Sequence, residues 1–301
     1  MQDQEEADGL GGRDVERRRV GDGGSADLLL ARLLPNGDPD PSFGSGGTVQ
    51  VTANATKAGV RGMALLPGGK IALAGWAKLP AGDQVLTAVF GADGTPDANF
   101  GPSGIRIDAL GGIDDAGVGV VAYPPDRLLV GVSVENASAQ HHFGWLLLDA
   151  KGSILDSRIE SAGADGEPNA IASLPDGKVI LAGRYGGSFA VRRYTTALAP
   201  DTSFGNAGLA TVSLSGKLDT ANAVLVQRDG RILVGGPAGL NAGNVDFGFA
   251  RLDAFGAPLL YDDFANGVMS WTAASGTWLE FGGSLAAGTT GTAAVWAPQP
   301  W

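Results

Sequence analysis

Cysteine is absent from the 301 residues, which excludes disulfides, thiolate metal sites and cysteine nucleophiles. The absence leaves the compartment open, because it suits a bacterial surface protein and a cytosolic one alike. Histidine is nearly absent: His141 and His142 are the only two. Adjacent residues on a strand point to opposite faces, so this pair cannot share one metal. Nothing near them resembles a nucleophile elbow, and they read as polar residues at a strand edge. Positive charge is scarce, with 21 Lys+Arg against 32 Asp+Glu and a net charge of -11. A nucleic-acid binder needs a basic face to displace counterions, and no basic cluster occurs outside residues 13–19, so no nucleic-acid partner is expected. Acidic surfaces repel anionic membranes, and no apolar run approaches the ~18 residues of a span, so membrane insertion is not expected either. Residues 1–26 contain no apolar core of the kind a secretory signal needs.

Glycine is what the chain has in excess: 49 of 301 residues, against a typical ~7%. No three-residue glycine period exists, so a collagen helix is excluded and a chain of very many turns remains. Two anchors recur. The first is Phe-Gly with Asp three residues before the Phe, at Asp40, Phe43 and Gly44, at Asp97, Phe100 and Gly101, and at Asp201, Phe204 and Gly205. The second is a Pro/Asp/Gly turn, a basic residue and an apolar run, with the basic residue at Lys70, Arg127, Lys178 and Arg231. These basic residues stand 57, 51 and 53 apart, and the first two Phe anchors are also 57 apart. From Phe100 to Phe204 the gap is 104, which leaves room for two units and a degenerate third anchor at Asp156 to Ile159.

Four copies follow, at about 27–82, 83–140, 141–187 and 188–243, with a partial fifth at 244–256. Each holds four strand-like runs; in the first these are 28–34, 48–52, 62–66 and 70–77. Asn36-Gly37, Gly46-Gly47 and Gly68-Gly69 between them supply the positive φ of tight turns. The run after each basic residue is nearly all apolar (Ile71 to Ala74, Val179 to Ala182, Ile232 to Val234), as a strand buried on both faces requires. No helical periodicity competes. The fold class expected is all-β. Four short antiparallel strands repeated about every 54 residues describe a β-propeller of four-stranded blades, each stable only against its neighbours. The ring is either incomplete or five-membered on this pattern.

These residues resemble the delta-60 repeat family, a β-propeller repeat of mostly surface or secreted bacterial proteins. Arg32-Leu33, Gly37, Asp40 to Gly44, Lys70 to Gly75, Pro175 to Gly183, Arg251-Leu252 and Gly256 carry the likeness across about residues 27–256. It implies an extracellular or cell-surface location and no established catalytic residues. Residues 1–26 form a polar lead segment whose end, Val20 to Ala26, is similar to the close of an earlier blade, which suggests a chain beginning inside a longer protein. Residues 257–301 are similar to the opening strands of a concanavalin-like or laminin-G-like jelly roll, a truncated β-sandwich-like segment. Four of the six Trp lie there; core positions of a truncated domain are their expected role, and sugar contact by Trp271 and Trp278 is the alternative.

Each candidate site has a plainer structural reading. The Asp before Phe-Gly has the chemistry of a calcium ligand, but calcium needs six or more converging oxygens and these Asp residues belong to different blades. An Asx turn, with the carboxylate accepting backbone N–H groups, is the expected role, and the Phe is a blade anchor. Asp114-Asp115 and Asp262-Asp263 are paired carboxylates of the kind a glycosidase uses, but neighbours on a strand face apart. Asn54 and Asn136 open glycosylation sequons. No catalytic residue, cofactor or metal is expected. The reading is a non-catalytic structural or interaction module of a bacterial surface or secreted protein, with a protein or glycan as partner. Carbohydrate binding by the C-terminal segment or the propeller mouth is the alternative, and a hydrolase or lyase in the propeller channel comes third.

Overall fold

The computed structural model describes residues 27–160, 165–215, 218–241 and 244–262, and three short strands beyond them. Residues 1–26 and Trp271 lie outside this set, and Trp278 enters it by its backbone alone. Five antiparallel sheets follow one another along the chain. The first pairs β1 (Asp27–Ala31) with β2 (Thr48–Thr52). The second is the meander β3 (Lys57–Leu65), β4 (Ile71–Leu79), β5 (Gly82–Phe90) and β6 (Ile105–Asp108). The third is β7 (Asp114–Tyr123), β8 (Arg127–Glu135), β9 (His141–Leu148) and β10 (Ile154–Ile159), and the fourth is β11 (Gly166–Ser173), β12 (Val179–Tyr185), β13 (Ser188–Tyr194) and β14 (Leu209–Val212). In the fifth, β15 (Leu218–Asp219) and β16 (Ala223–Val226) both pair with β17 (Ile232–Asn241), followed by β18 (Asn244–Leu252), β19 (Pro258–Asp262) and the short β20 (Thr272–Ala273). A separate hairpin joins β21 (Trp278–Phe281) to β22 (Ser284–Ala287). Among the described residues there is no α-helix, and no helix long and apolar enough to cross a membrane.

The sheets stack in chain order, with the first full strands β3, β7, β11 and β16 packed in succession. Four apolar layers fill the four seams. Leu28, Leu30 and Phe43 meet Ile71, Leu73 and Leu86 in the first seam. Ala72, Ala74 and Phe100 meet Val120, Leu128 and Val130 in the second, and Leu129, Phe143 and Trp145 meet Val179, Leu181 and Tyr194 in the third. Ile180, Ala182, Phe189 and Phe204 meet Ile232, Val234 and Leu252 in the fourth. Alternation explains the apolar runs: Ile71 and Leu73 enter one seam while Ala72 and Ala74 enter the next. A strand between two packed faces has no polar side, and each side chain buried in this way contributes roughly 1.5–3 kcal/mol. Four-stranded meanders packed face to face in series are β-propeller blades.

The repeating sequence unit and the sheet are offset by two strands. A sequence copy starts at Leu28, Val85, Phe143, Phe189 or Phe247, whereas the full sheets start at Lys57, Asp114, Gly166 and Leu218. Each copy therefore gives two strands to one sheet and two to the next, and ties neighbouring sheets together covalently. One expectation is corrected. Asp156 to Ile159 is no degenerate anchor but the edge strand β10, because the segment before it is cut to the five-residue turn 149–153. The second and fourth sheets have 91–104 and 195–208 at the same place.

Candidate functional site

The Asp, Phe and Gly anchors build one recurring device, a plug that leaves the edge of one sheet and enters the seam with the next. Asp40, Asp97 and Asp201 each accept the backbone N–H two residues on, from Ser42, Asn99 and Ser203, at 2.9, 3.0 and 3.1 Å. This is an Asx turn. The turn drives Phe43, Phe100 and Phe204 into the seam, each no more than 1% exposed. The following Gly44, Gly101 and Gly205 have φ between +52 and +54°, and donate to the carbonyls of Asp93, Lys151 and Phe255 in the next sheet at 2.7–2.9 Å. A Cβ on Gly44 or Gly205 would lie 2.2–2.3 Å from a backbone oxygen, so the position needs glycine for space as well as for φ. The three plugs occupy three different seams, so their carboxylates do not converge.

In the first and fourth seams an arginine from the same sheet caps the plug. The Arg32 guanidinium bonds Asp40 at 2.8 Å and Ser42 at 2.9 Å, lies 4.7 Å over the Phe43 ring and donates across the seam to the Ala92 carbonyl. Arg193 stands in the same way, in an ion pair with Asp201 at 2.9 Å, bonded to Ser203 at 3.2 Å and the Ala254 carbonyl, and 4.3 Å over the Phe204 ring. Lys178 joins Asp201 at 3.1 Å. Burial pushes the Asp201 carboxyl up, but the bonds from Ser203 and Lys178 and the charge of Arg193 outweigh it and hold it at about 2. Bonds from Ser42 likewise lower Asp40, and the Lys70 ammonium, 2.7 Å away, lowers Asp97.

The other two seams depart from this scheme. The third lacks a plug because the turn 149–153 is too short to form one. There Leu198 occupies the turn position that is Gly94, Gly152 or Gly256 elsewhere, keeps the left-handed φ of +59° and buries its side chain to 6% exposure. The Tyr123 hydroxyl donates at 2.6 Å to the Thr196 carbonyl, which stands where Ala92 and Ala254 do. The second seam has its plug, Phe100, but Val89 stands at the arginine position. A cavity of about 500 Å³ opens there, lined by Val89, Asp97, Phe100, Tyr123, Ala150 and the Pro124-Pro125 turn among others, and its size is that of a small-ligand pocket. Reading the sequence from motifs missed this cavity. Its one signal is Ala88-Val89-Phe90 set in register with Ala31-Arg32-Leu33.

The remaining candidates are engaged in the framework. His142 is buried beside the Asn136 amide, with 2.9 Å between the nitrogens, and His141 is half-buried with Nδ1 3.4 Å from the Ser133 hydroxyl. Asp114 accepts the Asp83 N–H at 2.8 Å, and buried Asp115 accepts those of Leu110 and Gly112, with burial raising its carboxyl. The Asn136 side-chain Oδ1 accepts the N–H groups of Ser138 and Gln140, so that sequon is folded into its own turn, while Asn54 is exposed. Asp263, Trp271 and the Trp278 side chain lie outside the described residues.

Serial four-stranded meanders sharing apolar seams make the chain a β-propeller protein. Three segments, 18–43, 174–204 and 227–258, match the family described as "Domain of unknown function (DUF5122) beta-propeller". These segments are similar to that family, the delta-60-like propellers, and support a propeller repeat. The match ends at residue 258 and lends no support to a laminin-G-like segment beyond it. No curated protein matches the sequence. Among solved structures, the chain is similar to a subtype N10 neuraminidase-like protein of A/little yellow-shouldered bat/Guatemala/060/2010, at 8% identity and TM-score 0.47, over 80% of this chain and 77% of that one. A protein of unknown function from Dyadobacter fermentans DSM 18053 gives 15%, 0.45, 69% and 65%. A thermostable family-43 glycoside hydrolase gives 12%, 0.41, 70% and 74%. Superpositions this loose carry neither an activity nor a substrate to this chain.

Proposed function

We propose that the chain is a non-catalytic interaction module of a bacterial surface or secreted protein, and that it takes its ligand in the cavity of the second seam. The observation that carries this reading is the departure of that seam from the first and fourth, where the same space is filled from within. The recurring carboxylates support it: each is engaged by backbone N–H groups and by lysine or arginine, an arrangement that holds sheets together and leaves no free acid–base pair at the plugs. The surface location rests on the resemblance to the delta-60 repeat. Selection of a random displayed peptide library on the immobilised chain tests the proposal. Peptides are expected that compete with one another and shift the NMR signals of Val89, Phe100 and Ala150. A selection that yields no such peptides, or hydrolysis of chromogenic glycosides that Asp97→Asn abolishes, would overturn it.

A further inference from the structure

Three of the four seams satisfy the same cross-seam carbonyl from within the fold: Arg32 serves Ala92, Tyr123 serves Thr196 and Arg193 serves Ala254. In the second seam the corresponding residue is Ala150, which lies in the cavity wall. The equivalence is set by the backbone. Asp40, Asp97 and Asp201 donate their N–H to the carbonyls of Arg32, Val89 and Arg193 at 2.9 Å, so Val89 stands where the two arginines stand. Gly44, Gly101 and Gly205 donate to the residue just after Ala92, Ala150 and Ala254, so the three acceptors also correspond. Everything that holds a guanidinium in the first and fourth seams is therefore present in the second, except the guanidinium. Asp97 supplies the carboxylate, Asn99 replaces the serine, Phe100 supplies the ring and Ala150 the carbonyl.

We infer that the second-seam cavity receives an arginine side chain presented by a partner polypeptide. The inference rests on the interaction-module reading and names its ligand chemistry. Lys70 on Asp97 is no obstacle, because Asp201 holds Lys178 and Arg193 together. The other cation of the wall, Arg127, is held over the Tyr123 ring at 5.1 Å and by the Pro124 carbonyl. Apolar walls of Val89, Leu66 and Tyr123 suit the methylene stem of arginine, and Asp97 and the Phe100 face suit its planar head. The cavity exceeds one side chain, which leaves space for the partner's backbone at the exposed rim of Pro124, Pro125 and Asp126.

Calorimetric titration with the capped pentapeptide Ala-Ala-Arg-Ala-Ala, its lysine counterpart and capped arginine alone tests this. The arginine pentapeptide is expected to bind saturably. The lysine peptide should bind at least about tenfold more weakly, because an ammonium cannot make the forked contacts. Val89→Arg fills the site from within, so it should abolish binding and raise the melting temperature. Asp97→Asn, which keeps the turn acceptor, should weaken binding by about tenfold for the loss of one charge-assisted bond. Equal binding of the lysine peptide, or binding that survives both variants, overturns the inference. Capped arginine binding as tightly as the pentapeptide overturns its polypeptide part. Library peptides that map to the cavity and lack arginine refute this inference while leaving the interaction-module reading intact.

Discussion

Replacing Leu198 by glycine separates two accounts of why a leucine occupies a left-handed turn. If the side chain is only tolerated there, Leu198→Gly relieves the steric cost of φ +59°, about 1–2 kcal/mol, and the protein becomes more stable. If the side chain takes the place of the absent plug, its removal opens a hole among Tyr123, Leu147, Val179 and Tyr194. Deleting a leucine that is 6% exposed costs about 2–5 kcal/mol with the cavity included, and the added chain freedom of glycine costs about 0.4–1 kcal/mol more. Set against the relieved strain, the net loss lies between about 0.4 and 5 kcal/mol, a destabilisation throughout, so the sign of the change decides. Urea unfolding followed by tryptophan fluorescence at neutral pH measures it, with Trp145 inside the affected seam. A midpoint moved down with an unchanged slope is the expected result. A midpoint that rises or stays would refute the filler role and leave the third seam without an account of how it closes.

Acid should loosen the fourth seam in a defined window. Asp201 is held at about 2, below its ordinary 3.8, so its contribution is complete above about pH 4 and is lost as pH falls through 2. The difference corresponds to about 2 kcal/mol, and Asp201→Asn should flatten that part of a stability–pH profile taken from urea midpoints. The same substitution should cost about 2 kcal/mol at pH 7, because it removes the charge that Arg193, 4% exposed, and Lys178 pair with. Among the plug glycines, Gly44→Ala and Gly205→Ala should lower the melting temperature more than Gly101→Ala. The first two Cβ atoms meet backbone oxygens at 2.2 and 2.3 Å, whereas the third first meets the flexible Arg106 side chain. Equal losses at all three would show that φ alone, not space, sets the requirement.

The repeat was legible because it is written in residues with narrow uses. Only Asp, Asn, Ser or Thr makes the turn at Asp40, only glycine fits at Gly44, and an apolar run such as Ile71 to Ala74 has no exposed side to lie on. What was not legible had no residue of its own. The phase of the sheets is undefined in a cyclic pattern, since any of four strands can open the unit. The cavity arises from a side chain that is missing: Val89 reads as an ordinary strand residue until it is aligned with Arg32 and Arg193. Leu198 hides in the same way, because a leucine in an apolar stretch gives no hint of a positive φ. The spacing asks for a third anchor at Asp156 to Ile159, but the turn 149–153 is too short to form one, and Tyr123 and Leu198 do the packing there.

A plug touches only two sheets, so its loss can be offset within the same seam, and a change in one seam leaves the others intact. The third seam has no plug Phe but has an apolar filler and a tyrosine donor, which close it. The second has Val89 in place of the arginine and neither substitute, although the carboxylate, the ring and the carbonyl are all present. Asp97 in a seam without that arginine still has Lys70, so the turn survives and the fold does not force the site to close. The two seams differ, therefore, in whether the space is filled from within, and the open one is the seam to which the proposed ligand is assigned.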